Sequence, residues 1–295
     1  METVLLLQTG STLLLNLGFT WLLGSLLARR WLRAAGASED VATGLRRFDG
    51  VAAGLSALAA VGAMWAATAI MAGVALSEAG NMVWMMLLST DHGHASCVLL
   101  ITMLAMAVVR IAGIGERGSE LLAASLLLLF ALVRASMGHA GEGGYLTMAM
   151  VAEAVHFIAI GVWTGAVLVS GWFVLGGASV QGLTLASIGR YLDAMSGAAM
   201  AAVIAIIVTG MYSGWHRVGS GDNLMHTQYG WTLMGKVALV VGAIGLGGYN
   251  KFVGLPAAAR SLSGVRIVRN VLRIETILLV GALVAAALLT GQQPP

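Results

Sequence analysis

From its amino end the chain alternates long apolar stretches with short polar connections. Crossing a hydrocarbon layer of about 30 Å takes about 20 consecutive, mostly apolar residues in a helix. Eight stretches meet that requirement, at 4–28, 50–77, 92–113, 119–138, 146–174, 191–214, 230–250 and 270–290. The pattern predicts an all-α fold, a polytopic membrane helix bundle of about eight transmembrane helices. Only Ile114 to Ser119 separates the third stretch from the fourth. The longest polar connections, Arg29 to Asp49 and Trp215 to Gln228, are too short to fold as separate domains. The first and second sets of four spans show no convincing repeat. The opening Met1-Glu2-Thr3-Val4 has no basic segment before the apolar run, so the first span is expected to be retained rather than cleaved.

Charge gives the bundle a direction. Basic residues of membrane proteins gather in short cytoplasmic loops. Arg29, Arg30, Arg33, Arg46, Arg47, Arg110, Arg117, Arg190, Lys251, Arg260, Arg266, Arg269 and Arg273 all fall in or beside odd-numbered connections. Of the 16 Lys and Arg, that leaves Arg134 and Lys236 inside spans and Arg217 in a loop on the other side. Both termini are therefore expected to be periplasmic. The orientation rule accounts for the basic residues, and nothing points to nucleic acid. Composition agrees with the membrane reading. Hydrophobic residues make up 59% and charged residues 10%, against about 25% charged in soluble domains, and the mean hydropathy is +0.90. The chain has 40 Gly and 3 Pro, which suits helices packed closely through small residues. Gly161 with Gly165, and Gly210 with Gly214, have the spacing of such contacts. The single cysteine, Cys97, rules out an intrachain disulfide.

On this map no histidine is cytoplasmic. His92 and His94 open the third span, His139 follows the fourth, and His216 and His226 lie in the sixth loop. His156 lies within the fifth span. Met82, Met85, Met86, Met137, Met148, Met150, Met211 and Met225 share the outer half, where methionine ordinarily fills apolar gaps.

Two groupings carry the chemistry. Asp91-His92-Gly93-His94-Ala95-Ser96-Cys97 puts two imidazoles, a carboxylate and a thiol at a helix start, with His94 and Cys97 three apart on one face. Imidazole suits copper and zinc, and thiolate favours Cu(I). The plain alternative is a polar helix cap supplied by Ser89, Thr90 or Asp91. Glu153 and His156 stand one turn apart in the fifth span. An ionisable pair at that depth marks an ion or proton path by default, and Glu-x-x-His spacing can supply two ligands to one metal. The carboxylate could instead orient the imidazole, or the pair could simply lock helices together. His139, in Met137-Gly138-His139-Ala140 with Arg134 one turn below, is a further candidate ligand. Lys236 could pair with Glu153 across the bundle. Glu275 and Asp193, near the inner ends of their spans, are expected to be structural partners of nearby arginines. Met64, Thr68 and Met71 share a face of the second span, where packing accounts for them. The absence of a P-loop removes ATP-driven transport, and no nucleophile elbow suggests an enzyme.

The run from His156 to Gly165, HFIAIGVWTG, resembles the span that opens the conserved domain of the copper resistance protein D (CopD) family, with Glu153 one turn before the histidine. Thr209-Gly210 through Trp215 is similar to the end of the family's next span. Tyr229-Gly230 with Lys236 and Asn250-Lys251 resembles the following one, and Glu275 with Leu289-Thr290 the last. Met137-Gly138-His139-Ala140 resembles the Gly-His-Ala segment before that domain. The family often ends the first motif in Trp-x-Gly-Gly, whereas Trp163-Thr164-Gly165-Ala166 has one glycine. Asp91 to Cys97 is not part of the resemblance.

What the resemblance implies is an inner-membrane protein that imports copper from the periplasm, alongside a small periplasmic CopC-like copper-binding partner. The expected path takes Cu(I) or Cu(II) from a rim of His92, His94, Cys97 and His139 to Glu153 and His156. A second class is a copper-binding assembly factor that delivers metal to a membrane oxidase without transport. A b-type haem protein ranks last, because His156 is the one histidine clearly within a span.

Overall fold

The computed structural model describes all residues except 1, 38, 113–115, 139–140, 142–143, 145–146, 177–181, 219–224 and 293–295. Every long element among them is a helix: α1 (Glu2–Ala34), α2 (Glu39–Ala72), α3 (Leu76–Ser89), α4 (Asp91–Ile111), α5 (Glu116–Ser136), α6 (Met148–Val169), α7 (Leu185–Val218), α8 (Gln228–Tyr249) and α9 (Leu262–Thr290). All but α3 are long and apolar enough to cross a membrane, giving eight candidate spans.

Local signals set the helix ends. Thr90, Thr147, Thr227 and Ser261 each accept a hydrogen bond from the backbone N–H three residues on, capping α4, α6, α8 and α9. Gly36 (φ +68°) and Gly73 (φ +67°) take the left-handed conformation just past α1 and α2. Two helices pass into a π-helical turn, α6 at Ser170–Val174 and α8 at Asn250–Gly254. Arg273 Nε donates to the Gly171 carbonyl inside the first of these turns at 3.0 Å, and its guanidinium stacks over Trp172 at 4.9 Å.

Helix α1 is the hub, with two-thirds of its apolar window buried. On one side it packs with α2, α4 and α5 around Phe19, Met103, Met106 and Phe130. On the other, with α6, α7 and α9, it encloses Trp163, Tyr191, Leu192 and Leu272. The helices α1 and α6 meet glycine on glycine: a Cβ at Gly24 would enter the Gly165 backbone, and one at Gly165 would enter the Thr20 carbonyl. Gly161 makes room for Phe19, whose ring stacks on Phe157 at 4.6 Å. Of the second expected pair, Gly210 lies close against His156 of α6, whereas Gly214 has no neighbour within 4 Å among the described residues.

Three further expectations change. α3 lies in what the apolar pattern left as a connection. Its 14 residues are too few to span a bilayer, and it is tied down by Trp65 Nε1, which donates to the Leu76 carbonyl at 2.8 Å. α9 starts at Leu262, not near 270, because Ser261 caps it and Arg266 and Arg269 ride on its first turns. Glu275 therefore sits near the middle of a 29-residue helix rather than at its inner end. Among the described residues its hydrogen bond is with Trp163, not with an arginine. In the Met64–Thr68–Met71 stripe, Thr68 is buried with its hydroxyl donating back to the Met64 carbonyl at 2.9 Å, and Met71 is exposed.

Candidate functional site

Helix α6 carries a polar residue every seventh position, at His156, Trp163 and Ser170, so all three share one face at intervals of about 10 Å. Each meets a partner on another helix. His156 Nδ1 lies 2.8 Å from Thr209 Oγ1 of α7. Trp163 Nε1 donates to Glu275 Oε1 of α9 at 2.9 Å. Ser170 Oγ and Tyr191 Oη of α7 are 2.7 Å apart. The result is a ladder of polar contacts between apolar helices, reaching from the histidine to the basic end.

On the top rung Thr209 links His156 to the α7 backbone. Thr209 Oγ1 lies 2.6 Å from the Ala205 carbonyl, which can only accept. A hydroxyl has one proton to donate. With that proton on Ala205, Thr209 accepts from His156, which places the ring proton on Nδ1. Nε2 then carries the lone pair, the form in which a neutral imidazole binds a metal. Gly210 completes the seat: a Cβ there would come within 3.3 Å of His156 Cε1. The resemblance had drawn in Thr209-Gly210 as a motif. That the threonine fixes the tautomer comes from the one-turn spacing to Ala205 and from the packing of α7 on α6.

Glu153 and His156 are both half-buried, one turn apart as the spacing predicts. Arg134 of α5 interacts electrostatically with Glu153 and also with His92 of α4. This one guanidinium thus acts on both groupings that the sequence singled out. It is a partner for Glu153 in addition to the Lys236 that the sequence suggested.

At the start of α4, Thr90 is the cap, with its hydroxyl accepting from Gly93 N at 2.9 Å. His92 and Cys97 are half-buried and His94 is exposed. His139 lies outside the described residues. Among the described residues, no three His, Cys, Asp or Glu side chains gather in a metal-holding group. Several outer methionines serve packing: Met86 and Met150 are buried, whereas Met85, Met148, Met211 and Met225 face outward. Asp193 is exposed and shares a cleft of about 250 Å³ with Lys251 and Pro256.

The lower rungs were not read as a site in the sequence. Glu275 is 2% exposed, and among the described residues its Oε2 has no hydrogen-bond partner. Asn250, in the π-helical turn of α8, is 3% exposed, and among the described residues neither of its amide atoms has a partner. Gly247 of α8 packs against Glu275 and Gly254 against Val268, so Asn250 enters the same α8–α9 interface between those two contacts. The signal was available as polar residues at mid-span, which are costly and rarely incidental.

Two family profiles match the chain. "Copper resistance protein D-like, N-terminal domain" covers residues 1–148 and "Copper resistance protein D" covers residues 189–289. α6, with Glu153 and His156, falls between the two matched segments. No curated protein and no solved structure matches it. With eight apolar helices in one bundle and two matched segments taking in most of its length, the chain is a multi-pass membrane protein that belongs to the copper resistance protein D family.

Proposed function

We propose that the protein carries copper across the bacterial inner membrane, from periplasm to cytoplasm. Membership of the family puts its role in copper resistance and transport; the direction and the residues are the present reading. The observation that carries it is the His156–Thr209 pair, in which a half-buried imidazole of α6 lies 2.8 Å from a hydroxyl that also meets the Ala205 carbonyl; in a neutral ring protonated at Nδ1, Nε2 is the nitrogen that would take copper. The bias of Lys and Arg toward one end supports periplasmic termini. His92, His94, Cys97 and His139 would then be on the entry side, within reach of a CopC-like copper-binding protein.

In this reading a copper ion leaves its water or donor ligands for imidazole and thiol at the rim. It next meets Glu153 and His156. Imidazole accepts both Cu(I) and Cu(II), and Cys97 favours Cu(I). Arg134 offsets the Glu153 carboxylate until a cation arrives, so the site avoids an uncompensated charge when empty. Below His156 the ladder continues to Trp163 and Glu275, polar groups that a cation leaving the imidazole would meet next.

The test is copper accumulation in vesicles containing the purified full chain. Wild type should load the vesicles, and His156→Ala should fall to the level of empty ones. Copper retained at the rim with no accumulation by wild type would replace transport with the assembly-factor reading, in which the metal is handed to a membrane oxidase.

A further inference from the structure

At the basic end, away from the histidines, α1, α2 and α4 bury an unbalanced charge. Arg29 Nη1 donates to Asp49 Oδ2 at 2.5 Å and to Ser25 Oγ at 2.8 Å. Trp21 Nε1 donates to Asp49 Oδ1 at 3.0 Å. Arg110 Nε lies 3.4 Å from the same Asp49 Oδ2, and its Nη1 lies 3.4 Å from Ser119 Oγ. Arg29, Asp49 and Arg110 are 3%, 0% and 7% exposed. One carboxylate thus faces two buried guanidinium groups. The neighbouring carboxylate, Glu120, is paired with Arg33. Among the described residues, Arg29 Nη2 and Arg110 Nε and Nη2 have no hydrogen-bond partner.

These donors border a hollow lined by Arg29, Arg46, Arg110, Ser119 and Glu120. Its volume is about 10 Å³, room for one oxygen-sized atom. A buried positive charge without a counter-ion is strongly unfavourable, and so is a buried N–H without an acceptor. An anion that inserts one oxygen between the guanidinium groups, and leaves its remaining atoms at the mouth beside Arg46, satisfies both. Within a few residues of the lining ones along the same helices, Phe48, Val51, Val108, Ile111 and Leu121 are all more than half exposed. That surface suits acyl chains. Basic pockets between spans on the cytoplasmic side are a recurrent way of holding anionic lipid headgroups.

We propose that the hollow formed by Arg29, Arg46 and Arg110 binds the phosphate group of an anionic phospholipid. The site is separate from the histidines and does not rest on the copper path.

The experiment uses the purified full chain in detergent. Lipid retention and the thermal unfolding midpoint are measured with phosphatidylglycerol, with phosphatidylcholine and with inorganic phosphate. Wild type should prefer phosphatidylglycerol and be stabilised by it. Arg46→Gln, at a half-buried position, should lower that preference about fivefold, the worth of one basic residue near an anionic lipid. Arg110→Gln should lower it at least as far, and the Arg46 variant stands alone if the Arg110 variant does not fold. Arg260→Gln, an exposed basic residue elsewhere on the chain, should leave the preference unchanged. Inorganic phosphate stabilising wild type, with no preference for phosphatidylglycerol, would keep the anion site but overturn the lipid as its occupant. The proposal also fails if neither phosphatidylglycerol nor phosphate acts, or if Arg46→Gln and Arg260→Gln lose the preference equally.

Discussion

Thr209 has a single hydroxyl proton, and the Ala205 carbonyl takes it. From that local bond follows a ring proton on Nδ1 of a neutral His156, which leaves Nε2 as the nitrogen proposed to meet copper. Partners that orient a ligating histidine typically contribute about 10–100-fold to metal affinity. Thr209→Val should therefore weaken copper binding by about tenfold without unfolding the bundle, while Thr209→Ser retains most of it. Copper titration of the purified variants reads this directly; equal affinity in wild type and the valine variant would remove Thr209 from the site. A second residue-scale prediction concerns Glu275. Replacement by Leu strands the buried Trp163 N–H and should cost about 1–3 kcal/mol. Glu275→Gln keeps an acceptor and should unfold within about 1 kcal/mol of wild type. If the two variants unfold alike, the Trp163 bond is not what Glu275 contributes to stability.

Close approach decides how the elements fit. Gly24 and Gly165 let the backbones of α1 and α6 touch, and α6 carries the polar ladder. Gly24→Ala should push the two helices apart and destabilise by about 1–3 kcal/mol, as overpacked cores do. Gly214→Ala, at a position with open space around it, should be neutral or stabilising, since alanine is the better helix former. Thermal unfolding of both variants in detergent checks this, and equal destabilisation would contradict the crossing.

Spacing in the sequence already pointed to one of these glycines, because Gly161 and Gly165 sit four apart in an apolar run. It pointed equally to Gly210 and Gly214, yet Gly210 meets His156 of α6 while Gly214 has no neighbour within 4 Å among the described residues, because spacing alone does not say which face a neighbour covers. The start of α9 was missed for a related reason. Arg266 and Arg269 look like a loop, yet arginine is a good helix former and Ser261 supplies the cap. α3 was missed because a 14-residue helix lying against α2 has no 20-residue apolar run to announce it.

At the scale of the molecule, the number and order of the spans were legible, since hydrophobic length is a property of the chain alone. The pairing of residues across helices was not. His156 with Thr209, Trp163 with Glu275, and Arg134 with Glu153 and His92 depend on how five helices are arranged around one another. The basic and histidine-bearing ends give the bundle its proposed polarity. A reporter enzyme active only after export should be active when fused after Thr290 and inactive when fused after Arg260. The reverse pattern would invert the transport direction as well.

The proposal that copper crosses by way of α6 meets its most direct test in living cells. Cytoplasmic copper is measured in cells expressing wild type and in cells expressing His156→Ala at matched membrane levels. The account predicts that wild type raises cytoplasmic copper and that the variant leaves it at the level of cells lacking the protein. If the variant raised copper as much as wild type, the path would not pass through His156.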